Sequence, residues 1–263
     1  YFGAGITYSR ALKPLIIRKD KLKIAFIGVS RFANISLHNG GGTVRDGDAR
    51  LYNLIKELKE ESHFVIIYFH WGYEYVRIPS PRERRIAHKC IDIGADLIIG
   101  SHPHIYQGIE NYKDKIIVYS LGNFIFHSSV FNELAPIPDD PSLKESFIFS
   151  IDVKDDYSYN YSINGYRTTD NSVECYNTIK NQTLVNDICK ISKIFNESYY
   201  HYLKAYYKQT YDISIQNQKI RNNLKNYKEL SMLEKVSIYK NANFQDMKNR
   251  ISGVLIKIFK SYI

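Results

Sequence analysis

Three histidines lie where buried, strand-like runs of the chain end. His102 and His104 follow the run DLIIGS and are separated by a proline, and His70 ends the run FVIIYFH. Because strands of an α/β sheet present their carboxyl ends at one edge, these imidazoles are expected to lie close together. Neutral imidazole binds Zn, Mn and Fe, and three protein ligands leave a coordination position for an activated water. The pattern predicts metal ligands at His70, His102 and His104.

The His-Pro-His spacing also predicts how two of the rings are directed. Residues two apart in an extended backbone project to the same side, and Pro103 favours an extended conformation at the residue before it. We therefore expect His102 and His104 to lie in an extended segment with both imidazoles aimed at one point. A single histidine more often has a structural or surface role, and it is the shared position at strand ends that favours ligands.

Two polar residues near these histidines are candidate catalytic groups. Glu74 follows His70 and Gly72 in HWGYE, and it either orients a ligand, acts as a general acid or base, or is a surface carboxylate. Asn123 follows Gly122 where a strand would bend, and it either faces the site or caps a turn. By contrast, His38 and His127 lack a spaced partner and are not predicted to be ligands.

The segments that position these residues alternate between two patterns. Residues 23–30, 64–70, 96–102 and 115–126 are apolar and β-rich, as expected for strands buried on both faces. Residues 48–61 and 82–93 carry apolar side chains at helical spacing. This alternation predicts a layered α/β fold. Residues 147–153 are predicted to be a last strand, at an edge or in a second sheet.

The chain changes character after residue 153. The following residues are rich in Tyr, Asn, Lys and Ser and then acquire helical spacing. We therefore divide the sequence into an α/β domain at residues 1–153 and a polar, mostly helical C-terminal extension at residues 154–263. The last segment, ISGVLIKIFKSYI, is expected to pack on the body of the protein, on a partner or on a membrane surface.

Composition limits the possible partners and locations. The formal charge is +9 and the pI about 9.2, which favours anionic partners. No nucleic-acid-binding motif is present, so nucleic acid is not a predicted partner. No apolar run reaches the roughly 20 residues of a transmembrane helix, and both an envelope-associated and a cytoplasmic location remain open. The cysteines, Cys90, Cys175 and Cys189, form neither a metal knuckle nor a complete disulfide framework.

Four segments together resemble the second half of the CapA family of bacterial capsule and poly-γ-glutamate biosynthesis proteins. They are HWGYEY, PSPRERRIAH, GADLIIGSHPHIYQGIENY and YSLGNFIF. The resemblance implies an α/β sandwich of the metallophosphoesterase-like type with a dinuclear centre of Mn, Zn or Fe. Its later ligands correspond to His70, His102 and His104. The family's N-terminal Asp, Asn and His motifs are not found in this sequence, so we expect an N-terminally incomplete domain that carries half of the metal site.

The resemblance also implies a function in capsule or exopolymer biosynthesis. The expected activity is metal-dependent hydrolysis or transfer at an amide or phosphoester of an anionic capsule polymer. Membrane-bound components of the capsule synthase are possible further partners. Two alternatives stay open: a non-catalytic accessory or anchoring subunit of the synthase, and a general metallophosphodiesterase. Glu83 stands where the family tends to carry glutamine, which leaves the substrate contacts at this position undetermined.

Overall fold

The structure is a computed structural model that describes residues 1–32, 41–124, 141–154, 156–169 and 172–225. The chain divides into two compact units, residues 1–126 with 140–209, and residues 127–139 with 210–263. Of the second unit the described part is residues 210–225, which end the last helix. His38, His127 and the segment 251–263 lie outside the described residues.

The first unit contains eleven described strands and the helices that connect them. The strands are β1 Ala4–Gly5, β2 Leu15–Lys19, β3 Leu22–Ser30, β4 Gly42–Thr43, β5 Phe64–His70, β6 Leu97–Ser101, β7 Ile109–Tyr112, β8 Lys115–Val118, β9 Glu145–Val153, β10 Tyr159–Thr168 and β11 Val173–Cys175. The helices are α1 Tyr8–Leu12, α2 Ala49–Glu61, α3 Pro81–Ile93, α4 Thr178–Ser192 and α5 Tyr199–Lys225, the last of which continues into the second unit.

A six-stranded mixed sheet forms the centre of this unit. Its strand order is β2-β3-β5-β6-β8-β7. The four inner strands β3, β5, β6 and β8 are parallel, and an antiparallel strand closes each edge. The short strands β1 and β4 pair separately. The predicted layered α/β fold is confirmed.

The ends of the two predicted crossover helices follow from their capping residues. Asp48 caps α2 by accepting a hydrogen bond from the Arg50 N–H. At α3, Ser80 and Glu83 form a reciprocal capping box, with Pro81 at the first helical position. The helix ends at Gly94, whose φ of 132° suits glycine. Both helices begin one residue away from the predicted start.

The six-stranded sheet is buried on both faces, as the apolar runs predicted. From β5, Val65, Ile67 and Phe69 pack with the apolar faces of α2 and α3. Ile66 points to the other face and packs in a second cluster with Phe147 of β9 and residues of α4. Each such buried side chain contributes about 1.5–3 kcal/mol. The layers are thus helices, the six-stranded sheet, and a second sheet with a helix.

Two strand predictions had different outcomes. The predicted strand at 147–153 is confirmed as part of β9, which is the edge strand of a second, three-stranded sheet in the order β11-β10-β9. The predicted strand at 115–126 was too long, since β8 ends at Val118. There the chain leaves the sheet, and Gly122 adopts a φ of 84° that a continuing strand does not have.

The residues after Val153 begin with β-structure and become helical later. β10 and β11 complete the second sheet before α4 starts at Thr178. Asn177 caps that helix by accepting a hydrogen bond from the Lys180 N–H. Among the described residues, no helix has both the length and the hydropathy needed to cross a bilayer.

Candidate functional site

Three neighbouring parallel strands end level with one another. In the sheet register Ser30 of β3 pairs with His70 of β5, and His70 pairs with Ser101 of β6. The residues that follow β3 and β6, Arg31 and His102, therefore leave the sheet at the edge where β5 ends. This is the edge at which open α/β sheets bind their ligands.

The structure brings the three predicted histidines together at this edge. The ring centroids of His70 and His102 are 4.7 Å apart, and those of His102 and His104 are 5.8 Å apart. Phe32 lies beside them, with its ring centroid 4.1 Å from that of His102. The three histidines thus lie together at the predicted edge of the sheet, while their role as metal ligands stays a prediction.

The expected extended conformation of the His-Pro-His segment was wrong. His102 has a φ of 102° and His104 a φ of 62°, and both values lie in the left-handed region. Each such residue costs about 1–3 kcal/mol unless its surroundings hold it there. The two rings therefore approach each other because the backbone folds back at both histidines, and not because an extended strand repeats every second residue.

Residues 71–75 hold this strained segment in place. The Trp71 N–H donates to the Ser101 carbonyl over 3.0 Å, and the Tyr75 N–H donates to the Pro103 carbonyl over 2.8 Å. Gly72 lets the two segments approach, since its φ is 93° and an added Cβ would lie 3.0 Å from the Pro103 ring. These contacts hold Pro103, the residue between the two histidines, against the loop that follows β5.

Close packing around Gly100 fixes the ends of the strands that carry the histidines. The indole N–H of Trp71 donates to the carbonyl of Tyr119 over 3.0 Å, and both groups lie against Gly100. A Cβ at Gly100 would stand 1.9 Å from the Tyr119 oxygen, so only glycine fits. This packing ties the end of β6 to its neighbours on both sides.

Asn123 holds the ring and the backbone of His104. Its Nδ2 donates to the carbonyls of His104 and Leu143, over 3.0 and 3.2 Å. Because these donors fix the orientation of the amide, Oδ1 faces His104 Nδ1 at 2.8 Å and must accept its proton. The resulting tautomer leaves the lone pair on Nε2, the atom that would bind a metal. Asn123 is thus a positioning residue for His104.

The backbone around Asn123 is itself supported by the second sheet. The Tyr166 hydroxyl of β10 donates to the Asn123 carbonyl over 2.9 Å. The Thr168 hydroxyl donates to the Phe124 carbonyl over 2.9 Å. Residues beyond the predicted boundary at 153 therefore hold the segment that orients His104.

The fold lowers the pKa values of His102 and His70. Burial, followed by the charges of His70, His104 and Arg31, lowers the pKa of His102 to about 3. Burial and His104 also lower the pKa of His70 below its usual value. Both imidazoles are therefore neutral at neutral pH, and neutral imidazole is the form that binds metals.

The donor chemistry of this cluster fits the imidazole part of a divalent metal site, but not a complete one. The three rings supply nitrogen donors suited to Zn, Mn or Fe, and the tautomer of His104 is set for ligation. Within the described ranges, however, no three His, Cys, Asp or Glu side chains stand in an arrangement that could hold a metal ion. No carboxylate bridges the histidines there.

Glu74 does not take part in this arrangement. Its side chain is exposed, and it makes no hydrogen bond or ion pair with the described residues. Its charge, after burial, contributes to raising the pKa of Tyr75 to about 12. A catalytic role for Glu74 stays a prediction that this geometry does not support.

Sequence reasoning missed Arg31 and the function of Glu83. The Arg31 guanidinium forms an ion pair with Glu83 over 3.0 Å, and Glu83 is 1% exposed. Arg31 could have been found by the argument that found the histidines, since it directly follows a buried strand. Glu83 could not, because its partner lies in a different part of the sequence.

Comparison with known proteins identifies the first half of the chain. Residues 1–128 match the family model described as bacterial capsule synthesis protein PGA_cap. The PGA biosynthesis protein CapA of Bacillus subtilis is 37% identical over 128 residues, which are 47% of this chain and 34% of that protein. The capsule biosynthesis protein CapA of Bacillus anthracis is 48% identical over 68 residues, 26% of this chain and 16% of that protein.

A more distant relative carries a different description. A probable polyglutamine synthesis accessory protein of Mycobacterium tuberculosis is 31% identical over 67 residues, which are 26% of this chain and 18% of that protein. The chain thus spans about a third or less of the length of each of these relatives. The region similar to the bacterial capsule synthesis family, residues 1–128, includes all three site histidines.

Proposed function

We propose that this protein acts in capsule or exopolymer biosynthesis as a metal-dependent hydrolase or transferase on an anionic polymer of the poly-γ-glutamate type. The single observation that carries the proposal is the cluster of three imidazoles at the carboxyl edge of the sheet, with centroids 4.7 and 5.8 Å apart. The names of the Bacillus relatives supply the substrate class.

In this proposal the side chains of the site have different roles. His70, His102 and His104 would supply the imidazole part of a metal site that the described residues do not complete, and Asn123 would keep His104 in the ligating tautomer. A bound ion would supply an activated water at neutral pH and stabilise negative charge on the reacting carbonyl or phosphoryl group. Phe32 lies against the His102 ring, and the residue between His102 and His104, Pro103, is buried.

The metal content of the purified full chain tests the proposal. Mass spectrometry is expected to find Zn, Mn or Fe bound to the wild type and lost in His102→Ala. The matched control is His201→Ala, because His201 is an exposed histidine of α5 with 60% of its side chain accessible. A wild type that binds none of these metals, or equal loss in both variants, would rule the proposal out.

A second measurement tests the tautomer of His104. Asn123→Ala removes the acceptor that fixes His104 Nδ1–H, and residues that orient a metal ligand typically contribute tenfold or more to metal affinity. We expect metal binding to weaken by roughly tenfold in this variant. Unchanged affinity, measured by competition with a chelator, would show that the ring does not ligate through Nε2.

One observation favours a second function, a non-catalytic accessory subunit of the capsule polymer synthase. The described residues supply no set of three metal-binding side chains, and the Mycobacterium tuberculosis relative is named an accessory protein. If this function is the right one, a gene with both His102→Ala and His104→Ala should restore polymer production in a deletion strain as well as the wild type does. Failure of the variant to restore it would favour the enzyme.

A general metallophosphodiesterase is distinguished by its substrates. The full chain, assayed with added Zn, Mn or Fe, should then cleave nucleotide or lipid phosphodiesters and leave γ-linked glutamate oligomers intact. Cleavage of the oligomers alone would favour the polymer-directed enzyme.

A further inference from the structure

Arg31 is attached to the histidine edge by its backbone. Its N–H donates to the carbonyl of His70 over 2.9 Å. It directly follows β3, whose last residue, Ser30, pairs with His70 in the sheet. Its charge is close enough to His102 to contribute to the lowered pKa of that ring. The guanidinium therefore belongs to the surroundings of the imidazoles.

Two side chains hold the Arg31 guanidinium in one orientation. Nη1 donates to Glu83 over 3.0 Å and Nη2 donates to the Tyr73 hydroxyl over 3.2 Å. The guanidinium carbon also lies 4.9 Å from the centroid of the Tyr73 ring. Such contacts on an aromatic face and at a carboxylate reduce the freedom of an otherwise flexible side chain.

Both carboxylate oxygens of Glu83 are engaged in hydrogen bonds, which fix its position beside Arg31. One carboxylate oxygen accepts from Arg31, and the other accepts from the Ser80 N–H over 2.7 Å. A glutamine has a single acceptor oxygen and would leave one of these donors facing an amide NH₂. Since Glu83 is 1% exposed, water cannot replace the lost acceptor.

The guanidinium retains hydrogen-bonding capacity after these contacts. It has five N–H donors, of which Glu83 and Tyr73 engage two. The remaining three make no hydrogen bond with the described residues, while 24% of the side chain is accessible. A planar oxyanion is the group that such a fork binds best. Glu83 offsets the charge of Arg31, so recognition depends on the directed donors rather than on net charge.

We propose that Arg31 is the anion-recognition residue of the histidine site and binds a carboxylate or phosphoryl group of the substrate beside the imidazoles. This inference rests on the proposed function for the identity of the substrate. It adds a specificity-determining contact that the histidines cannot supply, because an imidazole lacks the planar fork of N–H donors that a guanidinium presents to an oxyanion. The group bound is one the polymer carries beside the reacting bond.

Equilibrium binding to the full chain tests this inference. The probe is a fluorescent γ-linked glutamate oligomer, with acetate and inorganic phosphate as competitors. Arg31→Met is expected to weaken binding by about tenfold or more, as for a lost hydrogen bond to a charged group. Arg31→Lys should weaken it nearly as much, because an ammonium has no planar fork.

The matched control is Arg18→Met. Arg18 is exposed on β2 and pairs with Lys23 near the opposite end of β3, and its loss changes the net charge equally. Its binding should stay within about twofold of the wild type. Phosphate competing at lower concentration than acetate would assign a phosphoryl group, and the reverse order a carboxylate.

The outcomes separate this inference from the proposed function. Equal binding by the wild type and Arg31→Lys, which keeps the positive charge, would overturn it, as would a wild type that binds no anion. Metal content measured on the same samples decides the other question. A metal-free wild type whose anion binding still depends on Arg31 would contradict the metal proposal and support this one.

Discussion

The two ends of the same parallel strands contain polar clusters of opposite kinds. At the amino end, the Asp96 carboxylate accepts hydrogen bonds from Lys59 and Lys115, both at 2.7 Å, and from the Val65 N–H at 3.0 Å. At the carboxyl end, three imidazoles approach one another on a strained backbone without a carboxylate among the described residues. The Asp96 cluster is a charged group surrounded by its protein partners, whereas the second cluster brings three imidazoles together.

This difference separates stability from function along one set of strands. A buried polar group whose hydrogen bonds are all made stabilises the fold, and removing one partner is costly. Strain and unfilled coordinating capacity lower stability and persist at sites that bind ligands. Substitutions at the amino end should therefore destabilise the protein, whereas those at the histidines should affect binding more than folding.

The largest effect is expected at Gly100, where the backbone of β6 packs closely against Tyr119 and Trp71. Gly100→Ala would place a Cβ 1.9 Å from the Tyr119 carbonyl oxygen and 2.5 Å from the Trp71 indole nitrogen. We expect a loss of about 3–5 kcal/mol in the free energy of unfolding, measured in urea, or no folded protein.

The control for Gly100 is Gly47→Ala, at a position where φ is 81° and the nearest atom is 4.0 Å away. It should cost only about 1 kcal/mol, from backbone strain. Equal effects of the two substitutions would show that Tyr119 and Trp71 can move away from Gly100 to accommodate a Cβ.

Asp96→Ala tests the amino end. The lysine side chains, 40% and 36% exposed, can turn to water, but the Val65 N–H loses its acceptor. We expect a loss of about 2–3 kcal/mol in the free energy of unfolding. Asp92→Ala breaks an exposed ion pair to Lys113 and should cost less than about 1 kcal/mol. Similar costs would remove the contrast between the two ends.

The stability of the metal-free protein should depend on pH through His102. Its pKa is lowered from 6.5 to about 3 in the fold, so below 6.5 the unfolded chain binds the extra proton. The free energy of unfolding should then fall as the pH drops from 6.5 toward 3. The slope is at most about 1.4 kcal/mol per pH unit and is reduced by partial exposure of the ring.

Urea unfolding in the presence of a chelator, at several pH values, measures this slope. His102→Ala should flatten the curve in that window, and His201→Ala should leave it unchanged. An identical pH dependence in the wild type and His102→Ala would mean that the ring is not held neutral by the fold.

The smallest effect is expected from the backbone strain at His102. His102→Ala and His102→Gly both remove the ring, but only glycine adopts a φ of 102° without a steric cost. The glycine variant should be more stable than the alanine variant by about 1 kcal/mol, as measured by urea unfolding. If alanine is equally stable, the backbone relaxes when the ring is removed and the strain is not imposed by the neighbouring loop.

Local sequence patterns predicted the strands that carry this site, but not the backbone conformation of the histidine segment. The runs ending at His70 and before His102 were recognisable because both faces of those strands are buried and their residues are apolar throughout. The left-handed φ of His102 was not predictable, since a residue before proline favours extended backbone. It is imposed by the Trp71 and Tyr75 hydrogen bonds, which are contacts between distant segments.

The same limit applies to the charged partners. Glu83 was noticed only as a departure from the residue expected in the family, and its meaning became clear with Arg31, 52 residues away. Asn123 was left between a site residue and a turn cap. Its contacts with His104 make it a support for the site, which only the loop geometry decides.

The hydroxyls of Tyr166 and Thr168 have a practical consequence for anyone who shortens this chain. A fragment ending at residue 153 would contain every site histidine and the whole family match, yet it would lack the donors to the Asn123 and Phe124 carbonyls. Loss of metal or polymer binding in such a fragment would not identify the removed residues as a binding region. In the full chain, Tyr166→Phe removes only the hydroxyl that donates to the Asn123 carbonyl. Loss of binding in this variant would point to the missing hydrogen bond, and retained binding would point to a removed binding region.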